Sequence, residues 1–360
     1  MIEKKIKLPF CAKATIFLIG LFALLTMLYI AKGIIIPIVF AIIIAIVLHP
    51  VVIFFVRFKI NRVVAIVITL FLTFIVIASF CAILFSQAIR FTESWPILVD
   101  KFTVVLNQTI TSATNYFEIN PQIIHEWITK TKGEVLHISN AVIGKTLISV
   151  GSGIIVLLLV PVYVFIILFY HPLLIEFIHR VFSSSNQKEV SEIVKQIKTV
   201  IQRYLIGLVI EAFMVAILNS TALLILGIEY AVILGIIGAL LNVIPYVGGI
   251  VGVALPMMVA LATKSTGWYA LYVLILYYFI QLIDNNYIVP IIVSSKVKIN
   301  ALFSIIVVIV GNALWGISGM FLSIPLLAIV KLLFDHIEPL KPWGFLLGDT
   351  MPSLLNRLKK

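Results

Sequence analysis

The stretch LLNVIPYVGGIVGVALP, residues 240–256, places a proline and a glycine pair inside an apolar run that is too long for one membrane crossing. The run covers residues 230–262, about 33 residues or roughly 50 Å of helix, against a hydrocarbon core of about 30 Å. Proline and glycine interrupt helical hydrogen bonding, and lipid cannot satisfy the backbone groups that are freed. The stretch therefore predicts a helix break that is buried in protein or lines a cavity.

A second apolar run, residues 301–333, has the same layout around GNALWGISGMFLSIP at residues 311–325. In both runs an Asn precedes two glycines three residues apart, and a Pro follows. Each run is either a long kinked span or a helical hairpin that returns to the side it entered. The positive-inside rule favours hairpins, because a hairpin at 230–262 delivers Lys296 and Lys298 to the cytoplasm.

Glycines and prolines should form the tips of these hairpins, since a sharp turn needs a residue without a side chain or one that ends a helix. The residues expected at the tips are Pro245, Gly248, Gly249, Gly252, Gly316, Gly319 and Pro325. The alternative is that glycines such as Gly235, Gly238 and Gly252 serve only close packing between membrane helices.

The composition is that of an integral membrane protein. Hydrophobic residues make up 62% of the 360 positions and charged residues 11%, and the mean hydropathy is +1.21. Soluble domains contain about 45–50% apolar residues. The apolar runs have helix length and lack the alternating decamers of a barrel, which predicts an all-α polytopic bundle of about eight membrane segments.

The chain divides into five predicted regions. Residues 1–86 form three spans, 87–147 an extracytoplasmic amphipathic subdomain, 148–203 span four and a cytoplasmic amphipathic helix, 204–335 a transport core, and 336–360 a basic cytoplasmic tail. In the core, a span followed by a hairpin occurs twice with opposite entry sides. This arrangement predicts an inverted repeat, which in transporters brackets a binding site near the midplane.

The net charge of +11 is interpreted as a topology signal, because basic residues concentrate before the first span and in the second short turn. This distribution places both termini in the cytoplasm and predicts contact with membrane lipid but no nucleic-acid partner. Neither Cys11 nor Cys81 nor any of the six histidines has metal-ligand spacing, so no metal and no cofactor are expected.

Two acids, Glu211 and Asp284, lie within apolar spans of the C-terminal half. A carboxylate in hydrocarbon is costly and commonly marks an ion or substrate pathway. Gln281, Asp284 and Asn285 fall at i, i+3 and i+4, on one helix face. This stripe either binds an ion or substrate or forms a hydrogen-bonded cluster that locks the helix against its neighbours.

Two amides lie near the predicted tips, Asn242 in the first run and Asn312 in the second. They either bind ligand or cap the broken helices. The motif GISG, residues 316–319, has the form found around some intramembrane serine nucleophiles. No histidine lies within a span of the C-terminal half to act as its base, so an enzyme is not expected.

Four stretches carry a family resemblance: YLIG (204–207), LGIEYAVILGIIGALLNVIPYVGGIVG (226–252), IQLIDNNYIVPIIVSSKVKINAL (280–302) and WGISGMFLSIPLLAIVK (315–331). In this order they resemble the autoinducer-2 exporter family of bacterial membrane proteins. The resemblance implies about eight membrane segments in a bacterial inner membrane and export of small solutes, and some members are described as sodium/proton antiporters. The sequence departs from the family's P-Y-x-G-P tip at Gly249, and has Asp284 where Glu is common.

The sequence thus predicts a secondary transporter that exports a small polar solute, with proton or sodium entry coupled through Asp284 and Glu211. A sodium/proton antiporter without an organic substrate is the first alternative, and a non-transporting membrane scaffold is the second. A homo-oligomer is expected, with the N-terminal spans as scaffold or oligomer contact.

Overall fold

The computed structural model describes residues 9–117, 159–181, 187–243, 248–264, 266–293 and 299–349, and every regular element in these ranges is a helix. Five of these helices are long and apolar enough to cross a membrane, or up to six if a bent pair counts as one span. The all-α polytopic membrane class is therefore confirmed. The count is below eight because the helices that represent span one and the first hairpin are shorter, namely Thr15–Ile30, Ala231–Asn242 and Gly252–Thr263.

The N-terminal part consists of α1 (Phe10–Ile30), α2 (Lys32–Arg57) and α3 (Arg62–Phe117). Helix α3 has 56 residues and continues past residue 86, where we expected the third span to end. The expected boundary between span and extracytoplasmic subdomain thus lies inside one helix. Residues 118–147 of that subdomain lie outside the described ranges.

The middle of the chain forms α4 (Leu159–Phe169) and α5 (His171–Val181), bent by 63° to each other, and then α6 (Gln187–Ile225). The expected amphipathic helix and span five are one continuous helix of 39 residues. Helix α6 packs against α2, α5 and several helices of the C-terminal half. It is the central element of the fold and carries one buried face along its length.

The first apolar run is a helical hairpin made of α7 (Ala231–Asn242) and α8 (Gly248–Thr263). A Cβ built on Gly252 would lie 3.3 Å from the Cα of Gly238, whereas residues fourteen apart in a straight helix are separated by roughly 21 Å. The two helices therefore lie side by side, as the hairpin interpretation predicts. Pro245 lies in residues 244–247, outside the described ranges.

Helix α9 (Trp268–Ile283) follows the hairpin and passes directly into a π-helix over Asp284–Val293. A π-helix is rare and often marks a functional site, because its wider turns redirect side chains. The transition falls at Asp284, the acid that the sequence singles out.

The second apolar run is α10 (Ala301–His336), which is broken at Gly316 with φ 61° and ψ −141°. The Ser323 hydroxyl donates a hydrogen bond to the Val307 carbonyl at 2.8 Å, although these residues would be about 24 Å apart along a straight helix. The run thus folds back on itself, and the positive φ at its turn explains the glycine. Beside the turn, Trp315 Nε1 donates to the Leu28 carbonyl of α1 at 3.0 Å.

The chain continues through a 3-10 turn (Glu338–Leu340) to α11 (Lys341–Leu347). Large apolar side chains are exposed along α1, α3 and the outer faces of α6 and α9, including Phe22 at 73% and Val209 at 70%. Such extensive apolar exposure suits a surface that contacts lipid.

Candidate functional site

Asp284 is 1% exposed and lies where α9 becomes the π-helix. Its Oδ2 accepts a hydrogen bond of 2.7 Å from the Asn242 side-chain amide and a longer one of 3.5 Å from Gln281 Nε2. Asn242 is the last residue of α7, so the carboxylate is joined directly to the turn of the first hairpin. Any change in the charge of Asp284 acts on this contact.

A small cavity lies beside this contact, between α6, α7, α8 and α9. Its polar lining consists of Asn219, Asn242, Tyr277, Gln281 and Asp284, and no Lys, Arg or His is among the described residues that line it. The cavity volume, counted as the space that the centre of a water molecule can occupy, is about 10 Å³. This volume corresponds to about one water molecule. In this conformation the cavity therefore fits a water or a bare ion, but no organic solute.

Three buried oxygens at this cavity have no hydrogen-bond partner in the described part of the chain: Asn219 Oδ1, the Tyr277 hydroxyl and Asp284 Oδ1. Leaving a buried polar group unsatisfied costs about 1–3 kcal/mol, and native proteins keep few of them. Three such atoms belong to residues that line one small cavity, which makes this cavity the candidate site.

Glycines bring the hairpin close to these side chains. A Cβ on Gly238 would lie 3.2 Å from Asn219 Nδ2 and 3.4 Å from the Tyr277 hydroxyl, and one on Gly249 would lie 2.9 Å from Gln281 Oε1. Gly248 and Gly249 begin α8, next to the turn. Gly252 instead contacts Gly238 within the hairpin, which is the helix-packing role considered as the alternative.

Glu211, the other intramembrane acid, is 6% exposed on the buried face of α6. It does not line the cavity; it precedes Asn219 by eight residues, about 12 Å along the helix. Its carboxylate nevertheless lies near enough to Asp284 to interact with it electrostatically.

The structure does not bring the remaining candidates to this cavity. Asn285 is exposed and accepts a hydrogen bond from Gln281 at 3.3 Å. In the second hairpin, Asn312 is exposed, Gly316 forms the turn, Gly319 contacts Gly311, and Pro325 is buried nine residues beyond the turn. The second hairpin thus contributes packing, and none of its residues lines the cavity.

Asn219 and Tyr277 are the two polar cavity residues that the sequence interpretation missed. Tyr277, Gln281 and Asp284 fall at i, i+4 and i+7, so the polar stripe on α9 begins one turn earlier than the residues considered. Asn219 likewise shares a helix face with Glu211. The signal for Tyr277 was a polar residue one turn before Gln281, and the signal for Asn219 was a polar residue about two turns after Glu211 on the same face.

A polar cavity with a buried carboxylate lies between membrane helices and a broken-helix hairpin, and these features define a polytopic helical membrane protein with the kind of site that transporters carry. The model of the AI-2E family transporter matches residues 17–338, and the chain belongs to that family.

Three relatives illustrate the similarity. "Putative transport protein YueF" of Bacillus subtilis (strain 168) is 30% identical over 158 residues, which are 44% of this chain and 42% of that protein. "Putative transport protein YrrI" of the same strain is 26% identical over 152 residues, 42% of either chain. "Putative permease PerM" of Escherichia coli (strain K12) is 27% identical over 175 residues, 49% of either chain. The matches cover less than half the length of each of these relatives.

Proposed function

We propose that this protein is a secondary transporter of the bacterial cell (inner) membrane that exports a small polar solute, of the kind of autoinducer-2, driven by a proton or sodium gradient. The observation that carries the proposal is the hydrogen bond between buried Asp284 and Asn242 at the turn of the first hairpin. The similarity to proteins described as transport proteins and permeases supports it.

The bond between Asp284 and Asn242 couples ion occupancy to the position of the hairpin. An ionised carboxylate accepts a hydrogen bond from the amide N–H group. A protonated carboxyl group has an O–H donor of its own, and a bound cation competes with the amide for the carboxylate oxygens. Each state of Asp284 thus favours a different contact with α7, and the hairpin population shifts accordingly. Glu211, which interacts with Asp284 electrostatically, makes the charge of one acid depend on that of the other.

We propose further that the two hairpins re-enter the membrane from opposite sides, which gives an inverted repeat with both termini in the cytoplasm. We also propose a homo-oligomer. The exposed amide of Asn312 lies among exposed apolar side chains such as Ile309 and Ile317, a setting that suits a contact between copies better than lipid.

Single cysteines test this topology in a chain whose own Cys11 and Cys81 have been replaced by serine. A cysteine at exposed Thr266 is expected to react with a membrane-impermeant maleimide from outside intact cells, because the first hairpin returns to that face. A cysteine at exposed Ala301 is expected to react only after the cells are opened. The reverse labelling pattern would contradict the proposed orientation.

A sodium/proton antiporter is the second candidate function. The observation that favours it is the size of the cavity, which has room for about one water and no organic solute. An exporter must therefore open this site further during its cycle, whereas an antiporter needs no larger space.

Purified full-length protein in proteoliposomes separates the candidates. Counterflow of a labelled solute, driven by an imposed proton or sodium gradient, supports the exporter. Sodium-dependent proton flux without any added solute supports the antiporter. Flux equal to that of protein-free liposomes in both assays would refute transport and leave the scaffold.

A further inference from the structure

We infer that Asn219, Tyr277 and Asp284 form a binding site for one dehydrated monovalent cation of about the size of sodium. Each of these residues lines the cavity and carries a buried oxygen without a partner in the described part of the chain: Asn219 Oδ1, the Tyr277 hydroxyl and Asp284 Oδ1. As the coupling site of a transporter, this site rests on the proposed function; as a binding site, it rests on these atoms alone.

The unpartnered oxygens define the chemistry of the ligand. Asn219 is 3% exposed, Tyr277 8% and Asp284 1%, so solvent does not satisfy them. The amide oxygen of Asn219 and the carboxylate oxygen of Asp284 are acceptors only and cannot satisfy each other, and the Tyr277 hydroxyl donates to neither of them. They require a donor or a positive charge, and oxygen ligands are those that hard cations prefer.

The arrangement of Asp284 supports the same conclusion. Its Oδ2 is occupied by the amide proton of Asn242, while Oδ1 stays without a partner at the cavity. One oxygen therefore positions the carboxylate and the other remains free for a ligand. Gly238 keeps the neighbouring space open, because its Cβ would lie 3.4 Å from the Tyr277 hydroxyl.

Charge and size make the cation monovalent and small. Asp284 is the one acid among the described residues that line the cavity, and no basic side chain lies there to neutralise it. A divalent ion such as calcium takes six to eight oxygens, often from several carboxylates. The cavity has room for about one water, so the ion must bind without its hydration shell.

Equilibrium binding of radioactive sodium to the purified full-length protein in detergent tests the site, with choline chloride holding ionic strength constant. We expect saturable binding of one sodium per chain. Tyr277→Phe and Asn219→Leu each remove one oxygen, and each is expected to weaken the affinity for sodium by about tenfold or more, as for a lost hydrogen bond to a charged group. The matched control is Tyr278→Phe, because Tyr278 is adjacent in sequence but 66% exposed.

A second measurement guards against variants that fail to fold. Sodium should raise the unfolding temperature of the wild type relative to choline, since a ligand that binds the folded state stabilises it. The same rise is expected for Tyr278→Phe and should be absent or much reduced for Tyr277→Phe. Unfolding temperatures in choline identify any variant that is damaged for other reasons.

Equal sodium affinity in Tyr277→Phe, Asn219→Leu and wild type would overturn the inference, as would the absence of saturable sodium binding, which would mean that the cavity holds water only. These results are independent of the transport proposal. Sodium binding without any flux would refute the proposed function and leave the site intact. Proton-driven solute flux without sodium binding would support the proposed function and refute the sodium site.

Discussion

The Asp284→Asn variant is expected to lose ion-coupled flux by about 10- to 100-fold or more, because the coupling charge disappears while the shape of the side chain is kept. An asparagine can still accept the hydrogen bond from Asn242, which holds the hairpin turn in its observed place at 2.7 Å. What it cannot do is exchange a proton or offer a negative oxygen to a cation. Charge-assisted hydrogen bonds contribute about 1.5–3 kcal/mol, which corresponds to the stated range.

The flux of proteoliposomes under an imposed sodium or proton gradient is the measurement for this prediction. Glu229→Gln is the matched control, since Glu229 is exposed at the turn between α6 and α7 and its neutralisation should leave flux unchanged. Glu211→Gln is expected to alter the ion dependence of flux, because Glu211 does not line the cavity but interacts electrostatically with Asp284. Wild-type flux in Asp284→Asn would remove Asp284 from the coupling mechanism.

The Gly319→Ala variant is expected to destabilise the protein by more than about 3 kcal/mol, the upper end of the usual cost of overpacking. A Cβ on Gly319 would lie only 2.6 Å from the carbonyl carbon of Gly311 on the opposite limb of the second hairpin. The carbonyl carbon is a backbone atom, and the position of a Cβ is fixed by the backbone, so no side-chain rotation relieves the clash. The hydrogen bond from the Ser323 hydroxyl to the Val307 carbonyl, which joins the two limbs, would be lost as they separate.

Thermal unfolding and the folded yield on size-exclusion chromatography in detergent measure this effect. Gly20→Ala is the matched control, because Gly20 lies inside apolar α1 and a Cβ there would meet no other atom within 4 Å. Alanine favours a helix by about 0.5–1 kcal/mol over glycine, so the control should be as stable as the wild type or more so. Equal unfolding temperatures for Gly319→Ala and Gly20→Ala would show that the limbs do not pack as observed.

The sequence was sufficient for the membrane class and for the breaks in both apolar runs. Their length exceeds a single crossing, and glycine and proline interrupt helices through local backbone properties that do not depend on distant contacts. The importance of Asp284 was predicted for a similar reason, since a carboxylate in an apolar span is costly wherever the helix packs. Its bond to Asn242 agrees with the expectation that this amide lies near the turn.

Other features depended on long-range packing. The third span was predicted to end at residue 86, where the hydropathy of the sequence falls, but helix α3 continues through this position. A fall in hydropathy marks a change in the surroundings of a helix and does not by itself end the helix. The shared layout of the two hairpins predicted an inverted repeat that brackets one site, but of the two hairpins only the first lines the cavity, together with α6 and α9.

The sequence by itself thus determined that the chain is a bundle of membrane helices with two interrupted segments and a buried acid, because apolar length, helix breakers and charge burial act locally. Only the tertiary structure decided that Asn219 and Tyr277 join Asp284 around one cavity. These residues lie on different helices or different turns, and only packing brings them to the same cavity and excludes solvent from their unpaired oxygens.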